Sequence, residues 1–280
     1  MKIIPKILIA VVLNFCILGT IICSLGYSLL HNPDNCVELI SSQSLDEKAH
    51  KSIEDYFNEQ YNTTAVPAKI YTDIITVDWV RKEMENNIKH TYSNLGNKDA
   101  EYKPDYTGLE ESISAFFSDY AKSINYNPDE AYEKKLNETI EKAESSINSK
   151  LDVFKFETMR KAGILNKIDK IIPLLNAGRI ISGIASVILI IVLILGKKNV
   201  WGRIYWTGCS FFSVGLILMI PGIFLIATDY FSAFTIKDSA IYSAFTGIMN
   251  NTTNTILYSG IVCAAIGIIA IVSGFFKKKN

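Results

Sequence analysis

The sequence predicts an all-α membrane protein in which four transmembrane helices carry a helical-bundle extracytoplasmic domain, inserted between spans 1 and 2. Three observations carry that prediction: several long runs free of charge, a polar segment with helical periodicity throughout, and a lopsided distribution of charge. The first is plainest at residues 180–195, which contain no charged residue and of which twelve in sixteen are Ile, Leu or Val. Extended back to Pro173, the run is long enough at ~1.5 Å per residue to cross ~30 Å of hydrocarbon. At roughly −0.3 to −0.6 kcal/mol each, these side chains outweigh the ~3 kcal/mol that Arg179 would cost at mid-bilayer. Arg179 lies near the end of the run and can snorkel, which lowers that cost.

The net charge of zero, from 28 Lys and Arg against 28 Asp and Glu, conceals the asymmetry. Residues 31–172 hold 18 basic against 26 acidic side chains, whereas the rest of the chain holds ten basic ones against Asp229 and Asp238 alone. An acidic polar domain with basic membrane flanks excludes nucleic acid as a partner, because no basic patch of useful size faces one compartment.

Taken in order, residues 1–30 comprise a cytoplasmic N-terminus and span 1. Lys2 and Lys6 precede an apolar run from Ile7 to Leu30, twice the length usual in a signal peptide and followed by no clean small-x-small site, which predicts an uncleaved helix. Residues 31–172 form the extracytoplasmic domain. A first helix is read from Leu45, Ala49, Ile53, Tyr56, Phe57 and Tyr61, and a second from Val80, Met84, Ile88, Tyr92 and Leu95, with Asp78 as N-cap and Gly96 past its end. The third opens with a capping box, Thr107 to Glu110, and shows Leu109, Ile113, Phe116, Tyr120 and Ile124 on one face. A fourth follows the N-cap Asn127 and Pro128 at the first helical position, with Tyr132, Leu136, Ile140, Ala143 and Ile147 as its apolar stripe. The fifth, about 151–172, leads into the membrane, and Val66–Tyr71 reads as a turn entering a short helical piece. One stripe per helix is the pattern of a bundle burying its own core.

Residues 173–196 are span 2, entered through Pro173; 197–203 form a basic cytoplasmic turn. Residues 204–228 are span 3, where Pro221-Gly222 predicts a kink. An extracytoplasmic loop, 229–254, contains an amphipathic piece (Ile241, Phe245, Ile248) suited to lying along the membrane surface. Span 4 covers 255–276 and a cytoplasmic tail 277–280. Lys2, Lys6, Lys197, Lys198, Arg203 and the three terminal lysines fall on one side, against Lys237 in the 229–254 loop. The positive-inside rule then predicts a multi-pass protein of the cell membrane with both termini cytoplasmic and residues 31–172 outside.

Enzyme signatures are missing: there is no phosphate-cradling glycine loop, no Cys or His cluster at metal spacing and no nucleophile elbow. His31, His50 and His90 stand far apart at polar positions and read as solvated side chains, so no catalytic residue, metal ligand or cofactor is expected. Cys16, Cys23, Cys209 and Cys263 lie in apolar spans, where cysteine acts as a small hydrophobe; Cys36 reads as a free thiol, a link between two copies being the other reading. No Asp, Glu, Lys or His lies mid-span, which speaks against a proton- or ion-coupled transporter. Small residues recur at packing intervals: Gly178, Ser182 and Ser186 on span 2, and Gly260, Ala264, Gly267 and Gly274 on span 4. Such stripes let helices approach closely, within one copy or else in a homo-oligomer or with another membrane protein.

The run Asp78-Trp79-Val80-Arg81-Lys82-Glu83, followed by Ile88 and Tyr92–Gly96, resembles the outer domain of poorly characterised four-span bacterial membrane proteins. Leu109–Ile113, and Ile180 through Trp206-Thr-Gly208 to Pro221-Gly222, are similar to later parts of the same group. The resemblance implies topology and a bacterial cell membrane, and no activity. The order of spans is also similar to permease subunits of some ABC systems, although the 197–203 turn is short for a coupling helix. The expected function is non-enzymatic: an outer domain that senses, binds or scaffolds a partner at the cell surface, with a permease or channel component as the alternative.

Overall fold

All four apolar runs are helical in the computed structural model, which describes residues 3–194 and 201–276. No strand occurs among the described residues. In chain order the α-helices are α1 (Ile3–His31), α2 (Asp34–Ser42), α3 (Leu45–Thr64), α4 (Lys69–Thr72), α5 (Val77–Ser93), α6 (Thr107–Ser123), α7 (Glu130–Leu151), α8 (Phe156–Lys161), α9 (Ile164–Ile194), α10 (Trp201–Ala227) and α11 (Ser239–Phe276). Four of these, α1, α9, α10 and α11, are long and apolar enough to cross a membrane. Only 11–28% of the residues in their most apolar stretches are buried inside the protein, so the remaining apolar surface requires an apolar surrounding.

The chain divides into two compact units. The polar unit comprises 33–167 and 236–247; the apolar unit comprises the described parts of 1–32, 168–235 and 248–280. Its lysine-rich flanks (Lys2, Lys197, Lys198 and Lys277–Lys279) and most of the short basic turn lie outside the described residues.

In the polar unit the apolar stripes meet as a bundle. Leu45, Ala49, Ile53 and Phe57 of α3, Val80, Met84 and Ile88 of α5, Leu109 and Ile113 of α6, and Leu136, Ala143 and Ile147 of α7 are all buried. Each fully buried aliphatic side chain contributes about 1.5–3 kcal/mol. The third stripe does not continue inward: Tyr120 is 60% and Ile124 54% exposed.

Several helix starts differ from the sequence expectation. Thr76, not Asp78, caps α5, its Oγ1 accepting from Trp79 N at 3.2 Å. Asp78 instead occupies the first turn, beside Arg81, which also reaches the buried Asp46 carboxylate (Nε–Oδ2 2.7 Å). The capping box at Thr107 does not form, because the Thr107 hydroxyl donates to Asp105 Oδ1 rather than accepting from its own helix. Asp129, not Asn127, caps α7, accepting from Tyr132 N at 2.9 Å, and Pro128 lies ahead of the cap. The expected fifth helix is two: Asp152 accepts from Phe156 N and Glu157 N to start α8, and Gly163, at φ +69°, turns the chain into α9.

Helix α9 runs through Pro173 instead of starting at it, and α10 continues through Pro221. The expected loop 229–254 is replaced by a 3-10 turn at Tyr230–Ala233 and, from Ser239, by α11. Asp238 caps that helix through Ala240 N and Ile241 N. Its first turns do not lie free with Ile241 and Phe245 outward; they belong to the polar unit and bury Ala240, Ser243, Ala244 and Gly247. Small residues permit this docking: a Cβ on Gly247 would sit 3.0 Å from both Gln43 Cγ and Leu39 Cδ2, and Lys48 Nζ donates to Ser243 Oγ at 2.7 Å.

In the apolar unit, Leu13, Ile17, Leu193, Val214, Leu218 and Cys263 form the core. Asn14 of α1, its amide turned so that Nδ2 donates, reaches Ser210 Oγ at 3.1 Å, and Ser210 Oγ donates to Ala10 O.

Candidate binding groove

Each small residue expected at a helix interface and placed by its neighbours faces a helix of the same chain. On α9, a Cβ at Gly178 would meet Cys23 Sγ of α1 at 2.9 Å. Ser182 lies beside Gly19 and shares a hydrogen bond with Thr20 (3.0 Å), and Ser186 is buried. On α11, Gly260 opposes Met219 and Gly215 O, Ala264 opposes Gly215, and Gly267 opposes the Phe212 backbone; Gly274 is buried. The sequence reading missed the reciprocal glycines of α10, Gly208, Gly215 and Gly222, which repeat every seven residues as Gly260, Gly267 and Gly274 do. Their signal was present, since a seven-residue repeat is that of helices packed at a small left-handed crossing.

Arg179 places its guanidinium 4.1 Å from the centre of the Tyr27 ring and donates from Nε to Asn176 Oδ1 at 2.8 Å. The cation is therefore held by a ring face and an amide.

The three histidines do not form a centre. His31 packs on Tyr27, His90 Nε2 lies 3.2 Å from Ala100 O, and His50 is half-buried on α3. No group of three or more His, Cys, Asp or Glu arranged for a metal occurs among the described residues. Cys36 is buried, its sulfur 3.4 Å from Tyr92 Oη, and burial pushes its thiol pKa up. A link between two copies through Cys36 is therefore disfavoured by access as well as by reactivity.

Two cavities of the polar unit are instructive. One, about 30 Å³, is lined by Glu83, Asn87, Thr91, Tyr102, Asp152 and Arg160, among others. Tyr102 Oη donates to the buried Glu83 carboxylate, and Arg160 Nη1 donates to Asn97 O at 2.9 Å. The space equals one water's share of liquid, so this is an internal polar knot with no room for a ligand.

The second, about 190 Å³, is a groove between α3, α4, α6 and α7. Phe57 of α3 and Tyr71 of α4 form its floor, stacked face to face with centroids 3.8 Å apart, and Phe117 of α6 closes one side. Tyr56, Gln60, Thr63 and Thr64 supply the α3 wall. Lys135, Thr139 and Lys142 supply the other, falling on one face of α7 because they are four and three residues apart. Thr139 Oγ1 donates to Lys135 O at 2.8 Å, and neither lysine enters an ion pair among the described residues. Burial, with Tyr56 alongside, raises the Tyr71 phenol to about 12, so it stays a neutral donor across ordinary pH. No acidic side chain lines the groove, although the surrounding domain is strongly acidic. Another open concavity of the same unit is lined by Glu101, Glu141, Glu144 and Glu157 together with Lys161, which pairs with Glu157.

No family model, no curated protein and no solved structure matches this chain.

Proposed function

We propose that this chain is a multi-pass protein of the cell membrane whose helical domain, residues 31–172, lies outside and binds a partner through the groove between α3, α4, α6 and α7. The reading is non-enzymatic: the groove offers cations, hydroxyls and aromatic edges, but no nucleophile–base pair. The observation that carries it is an aromatic-floored groove flanked by two unpaired lysines in a domain with eight more acidic than basic side chains. The orientation rests on the lysines flanking the spans and on the single Lys237 between spans 3 and 4.

Two measurements test it. Protease added to intact cells should digest the 31–172 domain; digestion only after the cells are opened would invert the topology. A photo-crosslinking side chain at position 139, compared with one at the exposed Thr158 of α8, should give an adduct specific to the groove. Equal yields from both positions, or none from position 139, would remove the groove as the binding site.

A further inference from the structure

Granting that the groove is a binding site, its chemistry narrows the occupant. We propose that it takes an acidic peptide segment of a partner protein, inserting one apolar side chain between two carboxylates that pair with Lys135 and Lys142.

Size is the first argument. Pockets for drug-sized molecules run from about 300 to 1,000 Å³, so about 190 Å³ suits one or two side chains rather than a whole cofactor. Ring geometry is the second. Phe57 and Tyr71 are parallel within 6°, so each covers one face of the other, and at 5% and 3% exposure they leave little ring face open to the groove. A sugar ring or a nucleobase needs an open aromatic face to stack on; an aliphatic or aromatic side chain packs against edges without one.

Spacing is the third argument. Lys135 and Lys142 are seven residues apart, about 10 Å along the α7 axis. Side chains of an extended peptide share a face at every second residue. Carboxylates four residues apart, about 13 Å at ~3.3 Å per residue, can therefore both face α7 with an apolar residue midway between them. The long flexible lysine stems span the remaining difference. The Gln60, Thr63, Thr64 and Thr139 side chains along both walls can then hydrogen-bond the peptide backbone. Beyond the groove, the same helices expose Tyr61, next to Gln60, and Tyr120, one turn beyond Phe117. Tyrosine is enriched where proteins meet.

The test uses the full-length protein in nanodiscs. The probe is a peptide in which two glutamates four positions apart bracket a phenylalanine at the middle position, so that all three share one face of an extended chain. Its counterparts carry lysine for glutamate or alanine for phenylalanine, and polygalacturonate serves as an acidic glycan. Binding is read by anisotropy, and by protection of Lys135 and Lys142 from acylation, with exposed Lys51 as the reference. The acidic probe should bind about tenfold more tightly than the lysine probe, lose affinity with alanine for phenylalanine, and protect both lysines. Lys135→Glu with Lys142→Glu, both at exposed positions, should reverse the preference. Equal binding of acidic and basic probes, an unchanged preference in the double variant, or tighter binding of polygalacturonate would each overturn the proposal. The crosslink from position 139 separates the two levels of failure. An adduct on a neutral or basic partner segment leaves the groove standing and removes the acidic occupant, whereas no adduct removes the groove itself.

Discussion

Replacing Gly215 by alanine places a methyl group where the backbones of α10 and α11 nearly touch. The new Cβ would lie 2.5 Å from Ala264 N, 2.7 Å from Ala264 Cβ and 2.8 Å from Ala264 Cα. Ordinary contact begins near 3.4 Å, and the obstructing atoms are mostly backbone, so the helices must part by about 1 Å. A gap of that size forfeits a quarter to a half of each van der Waals contact along the seam. Overpacking of this kind costs about 1–3 kcal/mol, and the better helix propensity of alanine returns up to about 1. The net is a loss of about 1–2 kcal/mol, or about 2–6 °C in the unfolding midpoint of a chain this size. Gly183→Ala is the control: its Cβ would meet only Thr20, at 3.8 Å, so it should be neutral or slightly stabilising. Thermal unfolding in detergent, followed by maleimide labelling of the buried Cys263 beside the seam, measures both. Gly215→Ala matching Gly183→Ala, or exceeding wild type, would refute close approach of α10 and α11.

Three further outcomes are expected. Leu109→Ala should cost about 2–5 kcal/mol in denaturant unfolding, because Leu109 is fully buried, whereas Tyr120→Ala on the same helical stripe should stay within about 0.5 kcal/mol. Glu144 has its pKa raised by burial first, then by its hydrogen bond to Glu110 and the charges of Glu110 and Glu141, with Lys103 opposing. A carboxyl whose folded pKa exceeds its unfolded one loses stability as pH rises from the ordinary carboxylate range through the raised value. Glu144→Gln should therefore flatten the pH dependence of the unfolding midpoint over that window, and an unchanged slope would count against the Glu110–Glu144 pairing. Cys36 should resist maleimide in the folded protein and react on denaturation; rapid labelling of the native state would show that its burial beside Tyr92 is wrong.

Legibility in the sequence followed the range of the interaction. Period located α3, α5, α6 and α7, since the same side chains that define a stripe bury it, and the length of the charge-free runs located the apolar helices. Caps were less legible because two candidates a residue or two apart compete: Asp78 is as good a cap as Thr76 until Arg81 engages it. Helix α2 was missed although Cys36, Leu39 and Ile40 are spaced for one buried face; the segment is short and follows Pro33. The groove was the least legible feature. Lys135, Thr139 and Lys142 are visible as one face of α7, but what they face is set by α3 and α4, more than sixty residues away. Nothing local marks Phe57 and Tyr71 as a stacked pair, or distinguishes Phe117, which lines the groove, from the outward Tyr120.

The placement of the small residues also redirects the search for partners. On polar helices a soluble protein sorts side chains by polarity; in lipid that contrast vanishes and sorting by size remains. The apolar helices follow the second rule. Gly178 and Ser182 turn toward α1, Ser186 is buried, and Gly208, Gly215, Gly260 and Gly267 turn toward one another, while Ile181, Ile184, Val187, Ile220 and Ile269 are left outside. The close-packing surface of these stripes is thus occupied within a single copy. A second membrane protein would find chiefly bulky aliphatic side chains, which lipid tails cover equally well. The polar unit offers the opposite: a concavity with unpaired cations and hydrogen-bonding walls, where binding gains something that water and lipid do not supply. That difference is why we propose the groove of α3 and α7, rather than the four helices long and apolar enough to cross a membrane, as the place where a partner would be recognised.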